Sequence, residues 1–151
     1  MKCSIILFFL LLLSNSLIAR NKSTINSIEK IAIESNVMAE KRTVIVYLPE
    51  GYDKSSESYP VLYLTDGEVH TKHSSGTVDY LSKFRLIPEM IVVGIINTDR
   101  NRDLRPTLTR DKKLEIDEGA DRFLTFITDE VIQTIEKGYR TLEYKVLSGT
   151  S

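Results

Sequence analysis

Residues 90–96 read Met-Ile-Val-Val-Gly-Ile-Ile, with no polar side chain in the run. A strand with one face in water alternates apolar and polar residues. An unbroken apolar run of this length fits a strand covered on both faces, as at the centre of a parallel sheet. Parallel neighbours must be joined by crossover connections, usually helices, so helical patterns are expected on both sides of this run. Upstream, Val78, Leu81, Phe84 and Leu86 recur at roughly helical spacing and predict a helix over 77–86, stopped by Pro88. Downstream, Leu124, Ile127, Val131 and Ile135 lie on one helical face with Phe123 beside them. Lys137 and Gly138 supply the cation and the glycine that commonly end a helix.

Working further outward, Val61–Leu64 predicts a strand closed by the Asp66-Gly67 turn, and Thr43–Leu48 (TVIVYL) a β-branched strand before it. Ile28, Ile31 and Ile33 suggest a first strand, and Tyr144–Leu147 a last, short one. The order is β-β-β-α-β-α-β. That order predicts an α/β fold: a mostly parallel, right-handed sheet with helices on its faces, whose first two or three strands pair antiparallel at one side. Residues 97–118 form a long charged connection, of a length that usually carries function.

Composition narrows the function classes. The 151 residues suffice for one domain. Lys and Arg total 20 against 21 Asp and Glu, so no basic excess exists to grip a phosphate backbone, and nucleic acid is not an expected partner. Met1-Lys2, the apolar run Ile5–Leu13, and small residues at Ser14, Ser16 and Ala19 have the layout of a secretory signal peptide over residues 1–19, cleaved after 16 or 19. The apolar run is shorter than the roughly 20 residues a membrane-spanning helix needs. Residues 20–151 are then the mature domain, secreted or periplasmic, with no membrane association after cleavage. The sole cysteine, Cys3, leaves with the leader, which excludes a disulfide or a thiol nucleophile in the mature chain.

His70 and His73 are the only histidines. Their spacing would suit a metal on one helical face, but the segment reads as a loop, and no metal site is expected. Asp99, Arg100, Arg102, Asp103 and Arg105 form a mixed-charge cluster whose simplest reading is a solvated loop with internal ion pairs. The strand that ends at residue 147 runs into Ser148-Gly149-Thr150-Ser151. A strand followed by Gly-x-Ser is the first half of a nucleophile elbow, where a tight turn requires small residues around an exposed serine.

Taken together, YLPEGYD (47–53), YPVLYLTDGEVH (59–70), PEMIVVGIINTDRNRDLRPT (88–107), GADRFLTFITDEVIQTIEKGYRT (119–141) and YKVLSGTS (144–151) resemble, in order and spacing, one esterase branch of the α/β-hydrolases. That branch includes enterochelin esterases, feruloyl esterases and esterase D-like enzymes. The resemblance implies the N-terminal half of an α/β-hydrolase fold, truncated at the nucleophile elbow. It implies hydrolysis of a small-molecule carboxylic ester through an acyl-enzyme on Ser151, with no cofactor. It makes the backbone N–H of Gly67 or Glu68 an oxyanion donor, and places Arg100 and Arg102 near the pocket mouth, where an Arg could orient substrate. Thr150 stands where the family usually has His. The triad acid and His would both follow residue 151. The chain alone is therefore expected to fold poorly and to show no measurable hydrolysis of activated aryl esters. The alternative is a non-catalytic esterase-derived fragment that binds a partner or has no function.

The leader is directly testable. N-terminal sequencing of the exported product should begin at Leu17 or Arg20; a product beginning at Met1 would show that no leader is removed.

Overall fold

The computed structural model describes residues 27–104 and 119–149. The leader, Arg105, Thr150 and Ser151 lie outside the described residues. Five strands, β1 (Ile28–Ser35), β2 (Glu40–Tyr47), β3 (Tyr59–Leu64), β4 (Ile91–Ile95) and β5 (Thr141–Ser148), form one sheet in the order β1-β2-β4-β3-β5. β1 with β2 and β2 with β4 pair antiparallel; β4 with β3 and β3 with β5 pair parallel. The antiparallel side expected from the sequence is thus the β1–β2–β4 side, and the sheet is mixed.

The reading of the 90–96 run holds. Every residue of β4 is buried. Ile91, Val93 and Ile95 join one apolar cluster with Val44, Val46, Val61, Tyr63, Phe123, Phe126, Val131 and Ile135. Val92 belongs to a second cluster with Tyr47, Leu64, Val78 and Met90. Two separate clusters on alternate residues mean that both faces of β4 are covered, which is why its sequence does not alternate.

The first helix differs from expectation. α1 spans Gly67–Lys83, not 77–86. Phe84 and Leu86 lie beyond it and are exposed. The buried stripe of α1 is Gly67, Thr71, Ser75 and Val78. Its spacing is helical, but only its last member is large and apolar, so hydrophobic periodicity could not reveal the first ten residues. The Thr71 hydroxyl donates to the Gly67 carbonyl at 2.5 Å and Ser75 to Lys72 at 3.0 Å, which satisfies these buried groups within the helix. His70 and His73 consequently sit on a helix rather than in a loop.

The long connection also contains structure. α2 (Arg100–Leu104) is a single turn whose start is capped by Asp99, which accepts from the N–H groups of Asn101 and Arg102 at 3.0 and 3.2 Å. α3 (Gly119–Thr125) passes through a π-helical stretch (Phe126–Val131) into α4 (Ile132–Gly138). The π stretch explains a second departure. Phe123, Phe126, Ile127, Val131 and Ile135 are buried, while Leu124, expected on the buried face, is 52% exposed. Widening the helix by one residue rotates Phe126 and Ile127 together onto the sheet. From the same stretch, Glu130 accepts the backbone N–H groups of Asn36 and Val37 and the Ser35 hydroxyl, which fastens the turn between β1 and β2.

α2 is held by a charge inside the core. The Arg42 side chain on β2 has no exposed surface. It donates to Asp103 at 2.7 Å, to Glu40 at 2.8 Å and to the Ile96 carbonyl at 3.0 Å, and its guanidinium lies over the rings of Phe123 and Phe126. Arg102 completes the network, reaching Glu40 at 2.6 Å and Asp103 at 2.8 Å. The hydrogen bond from Arg102, with a further one from Arg42, holds the Glu40 carboxyl down at about 2 against burial that opposes it. A carboxyl with a lowered folded pKa stabilises the fold above its unfolded pKa of 4.5 and loses that contribution as pH falls through the folded value. Urea unfolding midpoints should therefore fall between about pH 4.5 and pH 2, and Glu40→Gln should flatten that slope. An unchanged slope in the variant would assign the acid sensitivity elsewhere.

Candidate active site

The parallel strands β4, β3 and β5 all point their C-terminal ends the same way. From β3 the chain crosses through α1 to β4 on one side. From β4 it returns through α3 and α4 to β5 on the other side of β3. The end of β3 is thus a topological switch point, the place where α/β sheets open a crevice and bind ligands. The residues gathered there are Thr65, Asp66 and Gly67 after β3, Asn97 and Arg100 after β4, and Gly149 after β5.

Close backbone packing fixes these segments. A Cβ on Gly67 would sit 2.3 Å from the carbonyl carbon of Gly94, and one on Gly94 would sit 1.7 Å from the Thr71 hydroxyl and 3.0 Å from the Gly67 Cα. Two glycines therefore let the first turn of α1 press directly onto β4. On the other flank, the Thr65 N–H donates to the Ser148 carbonyl at 3.1 Å. A Cβ on Gly149 would meet the Thr65 hydroxyl at 2.9 Å. The tip of β5, two residues before Ser151, thus lies against Thr65, which precedes Asp66 and the start of α1.

Between α1 and the β5 tip is a small cleft of about 80 Å³, lined by Leu64, Thr65, His70, His73, Ser74, Ser148 and Gly149. The two imidazoles meet edge to face, ring centroids 5.1 Å apart. Among the described residues no three His, Cys, Asp or Glu side chains group as a metal site. Asp66 is buried at 4% exposure and has left-handed backbone angles, φ 51° and ψ 44°. Arg100 grips its carboxylate with Nε at 2.8 Å and Nη2 at 3.2 Å, and the Asn97 side-chain amide donates to it as well. That hydrogen bond from Arg100 to Asp66 raises the already high pKa of Arg100. The Asn97 N–H lies 3.4 Å from the Glu68 carboxylate.

The sequence-predicted residues separate here. Gly67, Glu68 and Arg100 come together at the end of β3. Arg102 turns away, toward Glu40 and Asp103 in the core network. Asp66 and Asn97 were not singled out as partners of Arg100. The available signal was positional, because each follows directly on a parallel strand.

The family model described as "Putative esterase" matches residues 35–151. This chain belongs to that esterase family. An IroE-like serine hydrolase from Shewanella oneidensis is 39% identical over 80% of the chain, with a TM-score of 0.71. Two more distant structures share the fold: a ferulic acid esterase from Anaeromyces mucronatus (23% identity, 87% of the chain, TM-score 0.63) and the enterobactin esterase of Shigella flexneri (18%, 83%, 0.63). The chain spans 42%, 51% and 30% of the length of these three proteins. A search of curated proteins returns no match. The esterase-family fold agrees with the resemblance stated from the sequence motifs, and the mixed sheet is that of an α/β-hydrolase.

The glycine contact gives a direct test of how the site is held. Gly94→Ala should destabilise the fold by roughly 1–3 kcal/mol or more, since the new methyl overlaps the Thr71 hydroxyl and the start of α1. A thermal melt unchanged from wild type would mean that α1 moves off β4 without penalty.

Proposed function

We propose that this chain carries the nucleophile and the first oxyanion donors of a secreted or periplasmic serine esterase acting on small-molecule carboxylic esters. The observation that carries the reading is the contact of the β5 tip with Thr65, the residue just before Asp66-Gly67-Glu68, at the switch point, within a family of esterases. The next residues after that tip are Thr150 and Ser151.

In this reading the Ser151 Oγ attacks the ester carbonyl. The carbonyl oxygen becomes an oxyanion, and the alcohol leaves with a proton, which gives an acyl-enzyme that water then hydrolyses. Backbone N–H groups of Gly67 or Glu68 donate to the oxyanion as its charge develops, a term worth about 10²–10³ in rate per donor. The first turn of α1 favours the same charge through its helix dipole. A serine hydroxyl needs a base to take its proton. In this fold the acid and the histidine follow the serine in chain order. They are assigned to the part of the relatives' length that this chain does not span. His70 and His73 precede the serine and are read as walls of the cleft, not as the base. No metal or other cofactor enters the reaction as proposed.

The test begins by reading the coding sequence beyond codon 151 and expressing the gene product with whatever follows. Hydrolysis of an aryl acetate and covalent labelling by a fluorophosphonate should both depend on Ser151. Ser151→Ala should abolish the labelling and lower kcat by about 10³-fold or more. A rate and label that survive this substitution would overturn the assignment.

A further inference from the structure

We propose that Arg100 is a positioning residue that keeps Asp66 from capping α1, so that the first N–H groups of that helix stay directed at the oxyanion. The proposal rests on the esterase reading above.

An Asp that precedes a helix ordinarily turns its carboxylate onto the N–H groups of the first turn. Asp66 occupies that position and makes no such hydrogen bond. Only its main-chain carbonyl is used, accepting from Val69 and His70 at 3.0 Å each. Its carboxylate is instead held by the fork of Arg100 and by the Asn97 amide. The left-handed backbone at Asp66 is uncommon for a residue with a side chain, though Asp adopts it more readily than most, and its surroundings hold it here. Gly67 is pressed against Gly94 on one side, and the carboxylate is clamped on the other.

The clamp has a fixed base. Arg100 begins α2, and three residues on, Asp103 is paired with Arg42 inside the core. One helical turn thus connects a core ion pair to the oxyanion turn. Two consequences follow for catalysis. With Arg100 in place, the Asp66 carboxylate neither occupies the Glu68 N–H nor presents an uncompensated negative charge near the developing oxyanion. Without it, only the Asn97 amide still holds the carboxylate, which loses its compensating charge and is freer to reach the Glu68 N–H; both changes oppose the transition state rather than ground-state binding.

The experiment compares wild type, Ser151→Ala, Arg100→Ala, and Arg100→Ala combined with Asp66→Gly, in the full gene product on an aryl acetate. Glycine suits the left-handed angles at position 66 and has no carboxylate to release. We expect Arg100→Ala to lower kcat by about 10- to 100-fold with KM within about threefold, and Asp66→Gly to restore most of kcat in that background. Should Arg100→Ala not purify as a folded protein, Arg100→Lys, which keeps the charge but loses the fork, should show the same kcat loss in milder form and the same rescue. A kcat within twofold of wild type in the Arg100 variant, or a loss that Asp66→Gly does not relieve, would overturn the clamp and leave the esterase reading standing. Activity in wild type that persists in Ser151→Ala would overturn both.

Discussion

A guanidinium in the middle of an apolar core sets most of what surrounds it. Arg42 is fully buried, and a charge there is tolerable only with its donors engaged and an opposite charge at hand. Asp103, Glu40 and the Ile96 carbonyl engage its two terminal nitrogens, and the two phenylalanine rings close over the cation, while its Nε has no hydrogen-bond partner among the described residues. These partners come from β2, from the chain just past β4, from α2, from α3 and from the π stretch that follows it. The arrangement adds little net stability compared with a well-packed apolar alternative, because desolvation opposes the attraction. Its effect is on placement. The short α2 turn buries few apolar groups of its own and is located by charge.

The two ends of α2 therefore do different work. Asp103 and Arg102 face inward, to Arg42 and Glu40. Arg100 faces the end of β3. The same geometry puts the start of the segment after β4 under control of the sheet's interior rather than of solvent. It also accounts for Arg102 and Asp103 being half-buried and buried within a mixed-charge run, where an exposed loop of alternating charge would gain little from its ion pairs.

What the sequence disclosed follows the kind of side chain involved. Strands announced themselves through apolar runs, and β4 did so most clearly, because covering both faces removes all alternation. The order of strands and helices was legible for the same reason. The start of α1 was not, because its buried stripe is Gly67, Thr71 and Ser75, which hydropathy treats as surface. Leu124 was misplaced because the 3.6-residue period does not persist through a π turn. At the site, Gly67 and Glu68 could be located from the turn after β3. The roles of Asp66 and Asn97 could not, since a carboxylate clamped across 34 residues of sequence leaves no local pattern.

The π stretch has a consequence for how the helical layer could change over time. It behaves as an extra tooth in a gear. Each residue of an α-helix advances the side-chain direction by about 100°, so a one-residue insertion leaves everything beyond it out of step unless the helix locally widens to absorb the surplus. Phe126–Val131 is that widening, and Val131 and Ile135 stay engaged with the sheet because of it. Deleting a single residue there would remove that surplus: the segment would close into regular α-helix with Val131 and Ile135 still facing the sheet. A deletion in the regular turns of α4 has no such slack and would turn everything beyond it by roughly 100°. Length in this layer is therefore quantised: one residue can be lost from the π stretch without a change of phase, and elsewhere only at the helix ends.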